Sequence, residues 1–164
     1  MRFTTAAEAV KLICPHSNVY IQGSPSIPEV LVRAMTDRAA ELTDVTLYSG
    51  FAVGRADAPY CSPEYKDTFL VNSLFVANNI RRWLAQGYGQ SIPAFLGEIP
   101  GLFRDGTLPV DVAILNLSRP NEEGYCSFGV SADLAVSAVE CARTVIAQVN
   151  TAMPFSYGDA MLIR

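Results

Sequence analysis

The stretch that decides the fold is residues 110–149, VDVAILNLSRPNEEGYCSFGVSADLAVSAVECARTVIAQV. It opens on an apolar run, 110–117, of the kind found in strands that are buried on both faces. Apolar residues then recur at helical spacing over 131–143, and a second strand-like run follows at 144–149. A strand, a helix and a strand in this order are typical of α/β folds, and the loop after the first strand is dense in turn-forming residues.

Outward from this unit, strands and helices alternate along the chain. Strands are expected at 18–22, 45–48, 68–76 and 91–96, and helices at 5–12, 27–42, 79–86 and in a short segment that Gly106 closes. Capping boxes at 5–8 and 26–29 start the first two helices. Asn78 is expected to cap the third helix and Gly87 to end it. The sequence therefore predicts an α/β fold with a mostly parallel sheet and helices on both faces, in one domain over 1–164, with an irregular surface segment at 51–67.

Composition excludes several classes of protein. Half of the 164 residues are hydrophobic and 17% are charged, which suits one domain with a substantial core. The net charge of −4 lacks the basic footprint of nucleic-acid binders. Four dispersed cysteines and one histidine do not form a zinc pattern, so no metal is expected. The polar start of the chain and the lack of a membrane-length apolar run predict a cytoplasmic protein with no membrane partner.

Small and amide residues follow the expected strands. In parallel sheets, ligands gather outside the carboxyl ends of the strands, where such residues let a ligand approach the backbone and its N–H donors. The candidate binding residues at these ends are Gly23, Ser24, Ser49, Gly50, Asn78, Asn79 and Ser118. The same residue types also end strands in ordinary turns, so the residue pattern alone leaves both interpretations open.

The loop NEEGYCSFG at 121–129 raises the question of a nucleophile. A catalytic cysteine needs a base or a cation nearby, and the one histidine is remote in sequence, so a small buried thiol is favoured for Cys126. Glu122 and Glu123 are adjacent on a polar turn, which favours a solvated turn over shared acid–base work. Glu98 follows a strand directly and opens a helix; a site carboxylate and a favourable interaction with the helix dipole stay equally open.

An unusual order of residues carries a resemblance to a known family. The pattern Ser-x-Pro-x-x-x-Gly-Tyr-Cys-Ser-x-Gly begins at Ser118, and Val-Asn-x-x-Met-Pro begins at Val149. Together with FVANNIRRWLAQG at 75–87 and IPAFLGEIPGLF at 92–103, this order resembles the amino-terminal domain of the acetyl-CoA hydrolase/transferase family. The resemblance runs from about residue 10 to the end of the chain.

The resemblance implies a CoA-transferase type of α/β domain and a reaction. In the family, two related domains enclose the active site, and a glutamate of the carboxy-terminal domain attacks an acyl-CoA. A glutamyl-CoA thioester forms through a mixed anhydride, and a short-chain carboxylate such as acetate, butyrate or 4-hydroxybutyrate then accepts the CoA. The implied partners are these substrates, the carboxy-terminal domain and further copies of the enzyme. No permanently bound cofactor and no catalytic residue are expected within 1–164.

By resemblance, the loops at 23–24, 49–50, 78–79 and 118–127 line one wall of the site. The substrate- or CoA-binding residues expected in the last loop are Ser118, Gly124, Tyr125, Cys126 and Ser127. Their expected role is to hold the thioester end of CoA or the carboxylate. Two other hypotheses stay open: acyl-CoA hydrolysis by the same family, and a stand-alone ligand-binding or interaction domain. A domain that meets a partner should also expose apolar surface.

Overall fold

The computed structural model describes residues 2–23, 25–50, 58–158 and 162–164, so Ser24 and the first part of the 51–67 segment lie outside the described residues. The strands are β1 Asn18–Ile21, β2 Val45–Ser49, β3 Phe69–Ser73, β4 Gln90–Ser91, β5 Val112–Leu117, β6 Cys126–Ser127, β7 Thr144–Val149 and β8 Leu162–Ile163. The α-helices are α1 Ala6–Ala9, α2 Glu29–Thr36, α3 Asn78–Ala85, α4 Ile99–Arg104 and α5 Ala135–Cys141. Shorter 3-10 helices lie at Val10–Leu12, Ala39–Glu41, Pro59–Cys61 and Pro63–Tyr65.

Six strands form one parallel sheet in the order β4-β3-β2-β1-β5-β7. Side chains alternate between its faces, as the strand period requires. Val19 and Ile21 of β1 belong to a core with the apolar sides of α2 and α3, whereas Tyr20 belongs to a core with α4 and α5. All six residues of β5 are buried, because helices cover both faces. The predicted fold class is confirmed.

The second helix begins later than expected, and the capping box predicted at 26–29 is wrong. The helix starts at Glu29 after Pro28, and the Ser26 hydroxyl makes no hydrogen bond among the described residues. Instead, Gln148 on β7 supplies the cap, since its Oε1 accepts from the N–H of Val30 at 3.1 Å. A residue on a strand distant in sequence thus caps this helix, whereas the local pattern predicted that Ser26 would cap it.

Of the four other expected helix ends, three are confirmed and one is wrong. Gly106 closes α4 in the left-handed region, with φ of +79°. Thr5 caps α1, with its hydroxyl accepting from the Glu8 N–H at 3.2 Å. Gly87 ends α3 in the left-handed region, with φ of +83°. Asn78 is not a cap: it is the first residue of α3, and Ala77 at the cap position makes no side-chain hydrogen bond.

The local structure differs from the sequence prediction in three more places. The strand expected at 91–96 stops at Ser91, because Ile92 still donates to β3 but Pro93 has no N–H to continue the ladder. The helix expected from 131 starts at Ala135, after Asp133 turns the backbone to φ of +40°. β6 and β8 were not expected; they pair antiparallel over two residues each, too short for a periodic signal. In the part of the chain that the structure covers, no helix is long and apolar enough to span a membrane.

Candidate functional site

The sheet order sets where a ligand can bind. From β1 the chain moves outward through β2, β3 and β4, then returns to β5 on the other side of β1 and continues to β7. The connections that leave β1 and β5 therefore run in opposite directions. Open α/β sheets bind ligands outside the carboxyl ends of strands at such a reversal.

Gln22 fixes the two strands at this reversal. Its side chain is fully buried directly after β1. Its Oε1 accepts from the N–H of Asn116 on β5 at 2.7 Å, and its Nε2 donates to the carbonyl of Ser131 at 2.9 Å. The same residue thus joins β1, β5 and the loop that leads to α5. In the sequence Gln22 is the last residue of the strand expected at 18–22, and the one signal of its role is a polar residue at the end of an apolar strand.

A small cleft lies beside Gln22, at the carboxyl ends of β1 and β2. Its lining residues are Ile21, Gln22, Gly23, Ile27, Ser49, Gly50, Tyr60 and Asn79. The structure therefore brings together four of the residues that turn chemistry singled out: Gly23, Ser49, Gly50 and Asn79. Ser24 lies outside the described residues, and Asn78 is exposed and does not line the cleft.

Buried polar atoms without partners concentrate at this edge. Within the described ranges, the Oγ of Ser49 and the Oδ1 of Asn79 are buried and make no hydrogen bond. The Oγ of Ser26 and the Oδ1 of Asn116 share this state. Buried polar groups are nearly always satisfied in native proteins, so each such atom calls for a water or a ligand.

The two serine hydroxyls of the 118–127 loop, in contrast, make hydrogen bonds within the fold. The Ser118 Oγ accepts from the N–H of Ser127 at 2.8 Å and donates to the Arg119 carbonyl at 2.9 Å. The Ser127 Oγ accepts from the N–H groups of Gly129 and Ser156, at 2.9 and 3.0 Å. These two serines hold the loop in shape and tie it to the segment after β7.

The tip of this loop is a polar turn, as predicted. The Asn121 Oδ1 accepts from the N–H of Glu123 at 3.1 Å and from that of Tyr125 at 2.8 Å. Gly124 adopts φ of +82°, which favours glycine. Glu122 and Glu123 are exposed on the turn, and Tyr125 is half-buried. The solvated-turn interpretation is confirmed.

Cys126 is a buried thiol, as the sequence favoured. It is 1% exposed on β6, and burial raises the pKa of its thiol. A raised pKa lowers the thiolate fraction, which is the opposite of what a nucleophile needs. Cys61 behaves alike: burial raises its pKa to about 11, and its Sγ lies 3.2 Å from the Tyr88 carbonyl.

Glu98 takes a local structural position. Its Oε2 accepts from the N–H of Phe95 at 3.1 Å, and it directly precedes α4. The side chain is exposed and closes the turn that leads into the helix. The structure therefore favours a helix-start role for the residue whose role the sequence left open. Among the described residues, no group of three or more His, Cys, Asp or Glu side chains is placed to hold a metal ion.

Asp133 was not singled out from the sequence. It sits in the loop between β6 and α5 with φ of +40°, a region that Asp tolerates better than most residues. Loss of hydration raises the pKa of its carboxyl, and the N–H of Leu134 offsets this in part. Its charge adds to burial in raising the pKa of Tyr20, whose phenol lies in the core beside the carboxyl edge.

The two carboxyls Asp133 and Asp105 should respond oppositely to removal of their charge. A raised pKa means that folding disfavours the ionised form, so Asp133→Asn should raise the melting temperature at pH 7, by a small amount because the residue is exposed and solvent screens its charge. The gain should vanish as the pH falls below the ordinary Asp value of about 3.9, where folded and unfolded chains are both protonated.

Asp105 is the matched control for this change. The Thr107 N–H donates to the Asp105 Oδ1 at 2.8 Å and lowers the pKa of this carboxyl. The ionised carboxylate therefore stabilises the fold at pH values above the pKa that Asp105 has in the unfolded chain. This stabilisation is lost as the pH falls through the lowered pKa of the folded chain. Asp105→Asn should therefore lower the melting temperature at pH 7 and leave it unchanged at pH 2. Thermal unfolding followed by circular dichroism measures both, and shifts of the same sign at pH 7 would contradict the assignment.

Large apolar side chains are exposed in the loops at the carboxyl edge. Phe75 follows β3, Phe95 and Leu96 follow β4, Val130 follows β6 and Tyr157 follows β7, and each is more than half exposed. Monomers expose single apolar residues routinely, but several at one edge favour a surface that another protein part covers. The exposed apolar residues expected from the sequence are thus present at the edge that carries the cleft.

The family model of the acetyl-CoA hydrolase/transferase N-terminal domain matches residues 1–163. The chain belongs to this family. The resemblance carried by the motifs at 75–103 and 110–159 is thereby confirmed.

Relatives and solved structures of the family agree with this assignment. The chain is 35% identical over 161 residues to 4-hydroxybutyrate coenzyme A transferase of Clostridium kluyveri, and the match covers 98% of this chain and 37% of that protein. It is 32% identical over 148 residues to a succinyl-CoA:acetate/propanoyl-CoA:succinate CoA transferase of Fasciola hepatica, over 89% of this chain and 30% of that protein. The chain thus spans about a third of the length of these curated relatives.

Two solved structures show the CoA-transferase type of fold. The 4-hydroxybutyrate CoA-transferase of Porphyromonas gingivalis superposes with a TM-score of 0.75 at 34% identity, over 98% of this chain and 36% of that one. RipA of Yersinia pestis superposes with a TM-score of 0.90 at 25% identity, over 98% of this chain and 39% of that one. The expected fold type is confirmed.

Proposed function

We propose that this chain is the amino-terminal part of a CoA-transferase, which moves CoA between an acyl-CoA and a short-chain carboxylate. The observation that supports this proposal most strongly is the match of residues 1–163 to the family's amino-terminal domain, together with relatives named as CoA transferases. The carboxyl edge of the sheet, with its cleft and exposed apolar side chains, supplies one wall of the site. A second domain, the remainder of the enzyme, supplies the other wall.

The reaction divides between the two domains. A glutamate carboxylate of the second domain attacks the thioester carbon, and the thiolate of CoA leaves as a mixed anhydride forms. The thiolate then attacks the glutamyl carbonyl, which releases the acid and leaves a glutamyl-CoA thioester, and a second carboxylate reverses both steps. Glu98, Glu122 and Glu123 are not this glutamate, because one closes a helix start and the others lie on a solvated turn. This chain's part is to position substrate, exclude water and offer hydrogen bonds to developing charge.

Acyl-CoA hydrolysis is the second candidate function, because the family model names hydrolases and transferases together. The two activities differ in the fate of CoA: in hydrolysis water takes the acyl group and CoA is released free, whereas in transfer a carboxylate accepts the CoA. The complete protein that contains residues 1–164 should be incubated with butyryl-CoA, with and without acetate, while acetyl-CoA and free CoA are measured. Transfer predicts acetyl-CoA with acetate and little free CoA without it; free CoA at the same rate in both would favour the hydrolase. If neither acetyl-CoA nor free CoA were formed, the proposal would be contradicted.

Association is part of the proposal. The exposed apolar side chains at the carboxyl edge support contact with the second domain, and we further propose that the enzyme assembles as a homo-oligomer. Coenzyme A enters as a substrate thioester and not as a resident group. The cytoplasmic location expected from the polar start of the chain and the lack of a membrane-length apolar run stays a prediction.

A further inference from the structure

The strand β7 lies at one end of the parallel sheet and has a free edge. Within the described residues it pairs with β5 alone. The N–H groups of Thr144 and Asn150 donate to carbonyls of the neighbouring segment 111–117, at 3.0 and 2.8 Å. Because the backbone groups of successive residues point to opposite sides of a strand, the N–H and C=O groups of Val145, Ala147 and Val149 point away from β5.

β7 lacks the features that usually protect an edge strand. Natural edge strands are short, carry charges or proline, or contain a bulge. β7 is six residues long, TVIAQV, with no charged residue and no proline, and its register with β5 runs without a bulge from Thr144 to Val149. Val145 and Ala147 are exposed, whereas the opposite edge strand, β4, is only two residues long. β7 is therefore an edge that fits a further strand.

A second copy of β7 matches this edge. In an antiparallel pairing about a twofold axis at Ala147, Ala147 faces its own copy, and Val145 faces Val149 of the second copy. All three outward residues of each strand then exchange their N–H and C=O groups as hydrogen-bonded pairs. Valine also meets valine on one face, which favours cross-strand contact. The flanking Arg143 lies opposite Thr151 of the second copy, so the two arginines do not meet.

The surface beside β7 supplies further contact area. A stable protein–protein interface buries roughly 1,200 Å² or more, so side chains outside the paired strands have to contribute. Phe3, Leu12 and Val30 line a groove along β7, and each is more than half exposed. A second copy that pairs with β7 covers this groove in both copies, because a twofold interface uses the same surface twice.

We propose that two copies of this protein associate through antiparallel pairing of β7 about Ala147, which joins their sheets into one continuous sheet. The proposal rests on the homo-oligomer proposed above and names its contact surface. It does not depend on CoA transfer, since measurements of association alone test it.

The first test replaces Ala147 with lysine in the complete protein that contains residues 1–164. Two lysine side chains then face each other across the axis, and like charges directly opposite destabilise a strand pair. The mass measured by light scattering should fall about twofold. Because Ala147 is exposed in the single chain, the fold should be retained, which circular dichroism checks. Gln90→Lys, at an exposed position on β4, is the matched control and should keep the wild-type mass.

The second test fixes the register with a disulfide. The Cα atoms of a hydrogen-bonded antiparallel pair lie about 5.5 Å apart, within the range that a disulfide spans. In a Cys14→Ser background, which removes an exposed native thiol, Ala147→Cys should link most chains into dimers on oxidation, measured on a non-reducing denaturing gel. Val145→Cys alone should leave the chains unlinked, whereas Val145→Cys combined with Val149→Cys should link them.

An unchanged mass in Ala147→Lys, or an Ala147→Cys variant that links no more chains than Val145→Cys, would overturn the proposal. A wild-type protein that is monomeric in light scattering would overturn it together with the proposed homo-oligomer. A wild-type oligomer that persists in Ala147→Lys would instead exclude the β7 contact alone. Both measurements are made without CoA, so a failed transfer assay leaves their meaning unchanged.

Discussion

Replacing Gln22 with leucine is expected to lower the free energy of unfolding by about 2–3 kcal/mol. Leucine nearly keeps the volume of the fully buried side chain but removes both of its hydrogen bonds. The N–H of Asn116 on β5 then stays buried without its side-chain acceptor, and the Ser131 carbonyl loses its donor. Urea unfolding followed by circular dichroism measures the loss.

The matched control is Gln86→Leu, at an exposed position just after α3, where a change within about 0.5 kcal/mol is expected. Hydrogen exchange should report the local effect, with faster exchange at Asn116 in Gln22→Leu than in the control. Equal stability of the two variants would mean that Gln22 does not hold β1 and β5 together at the reversal of the sheet.

Replacing Gly129 with alanine is expected to cost about 2 kcal/mol of unfolding free energy. Gly129 has φ of +64°, and a Cβ there would lie 2.3 Å from the Sδ of Met153 and 3.2 Å from the Pro154 carbonyl oxygen. The flexible methionine can move aside, but the backbone oxygen and the left-handed conformation remain unfavourable. The substitution should also loosen the loop that Ser127 ties to Ser156.

Gly101→Ala is the control for this substitution. Gly101 lies inside α4, and a Cβ there meets nothing within 4 Å. Alanine is the better helix former, so this variant should gain up to about 1 kcal/mol. We expect opposite signs in the two variants, measured by thermal unfolding at one pH. A neutral Gly129→Ala would contradict the cost assigned to the left-handed conformation and to the close Pro154 carbonyl oxygen.

Local patterns predicted much of the fold. The buried run 110–117, the helix after it and the strand Thr144–Val149 follow from period and composition alone, because each segment buries residues at the spacing of its own structure. Helix ends were predicted where the signal is local, as at Thr5 and Gly87. These predictions failed where the capping residue is distant in sequence, as for the cap that Gln148 supplies to α2.

The candidate site was predicted in part for the same reason. Gly23, Ser49, Gly50 and Asn79 follow strands that the sheet places side by side, so turn residues from separate segments meet at one edge. Gln22 was missed, because a polar residue at a strand end is a weak signal and its importance lies in contacts with residues about a hundred positions away.

The loop from Ser118 to Gly129 shows how a motif can mark a family without presenting free chemical groups. Its serine hydroxyls, the Asn121 side chain and its glycines all serve the shape of the turn, and Cys126 is buried. The conformation that these residues impose carries the loop from the end of β5 to β6. Its expected contact with the thioester end of CoA stays a prediction, which backbone groups and Tyr125 would have to fulfil.

We propose that this domain forms one wall of a CoA-transfer site that a second domain completes. The most direct measurement compares residues 1–164 alone with the complete protein in CoA transfer from butyryl-CoA to acetate, at equal concentrations. We expect acetyl-CoA from the complete protein and none above background from residues 1–164, in a preparation whose folding is checked by circular dichroism. Sustained turnover by residues 1–164 alone would contradict it.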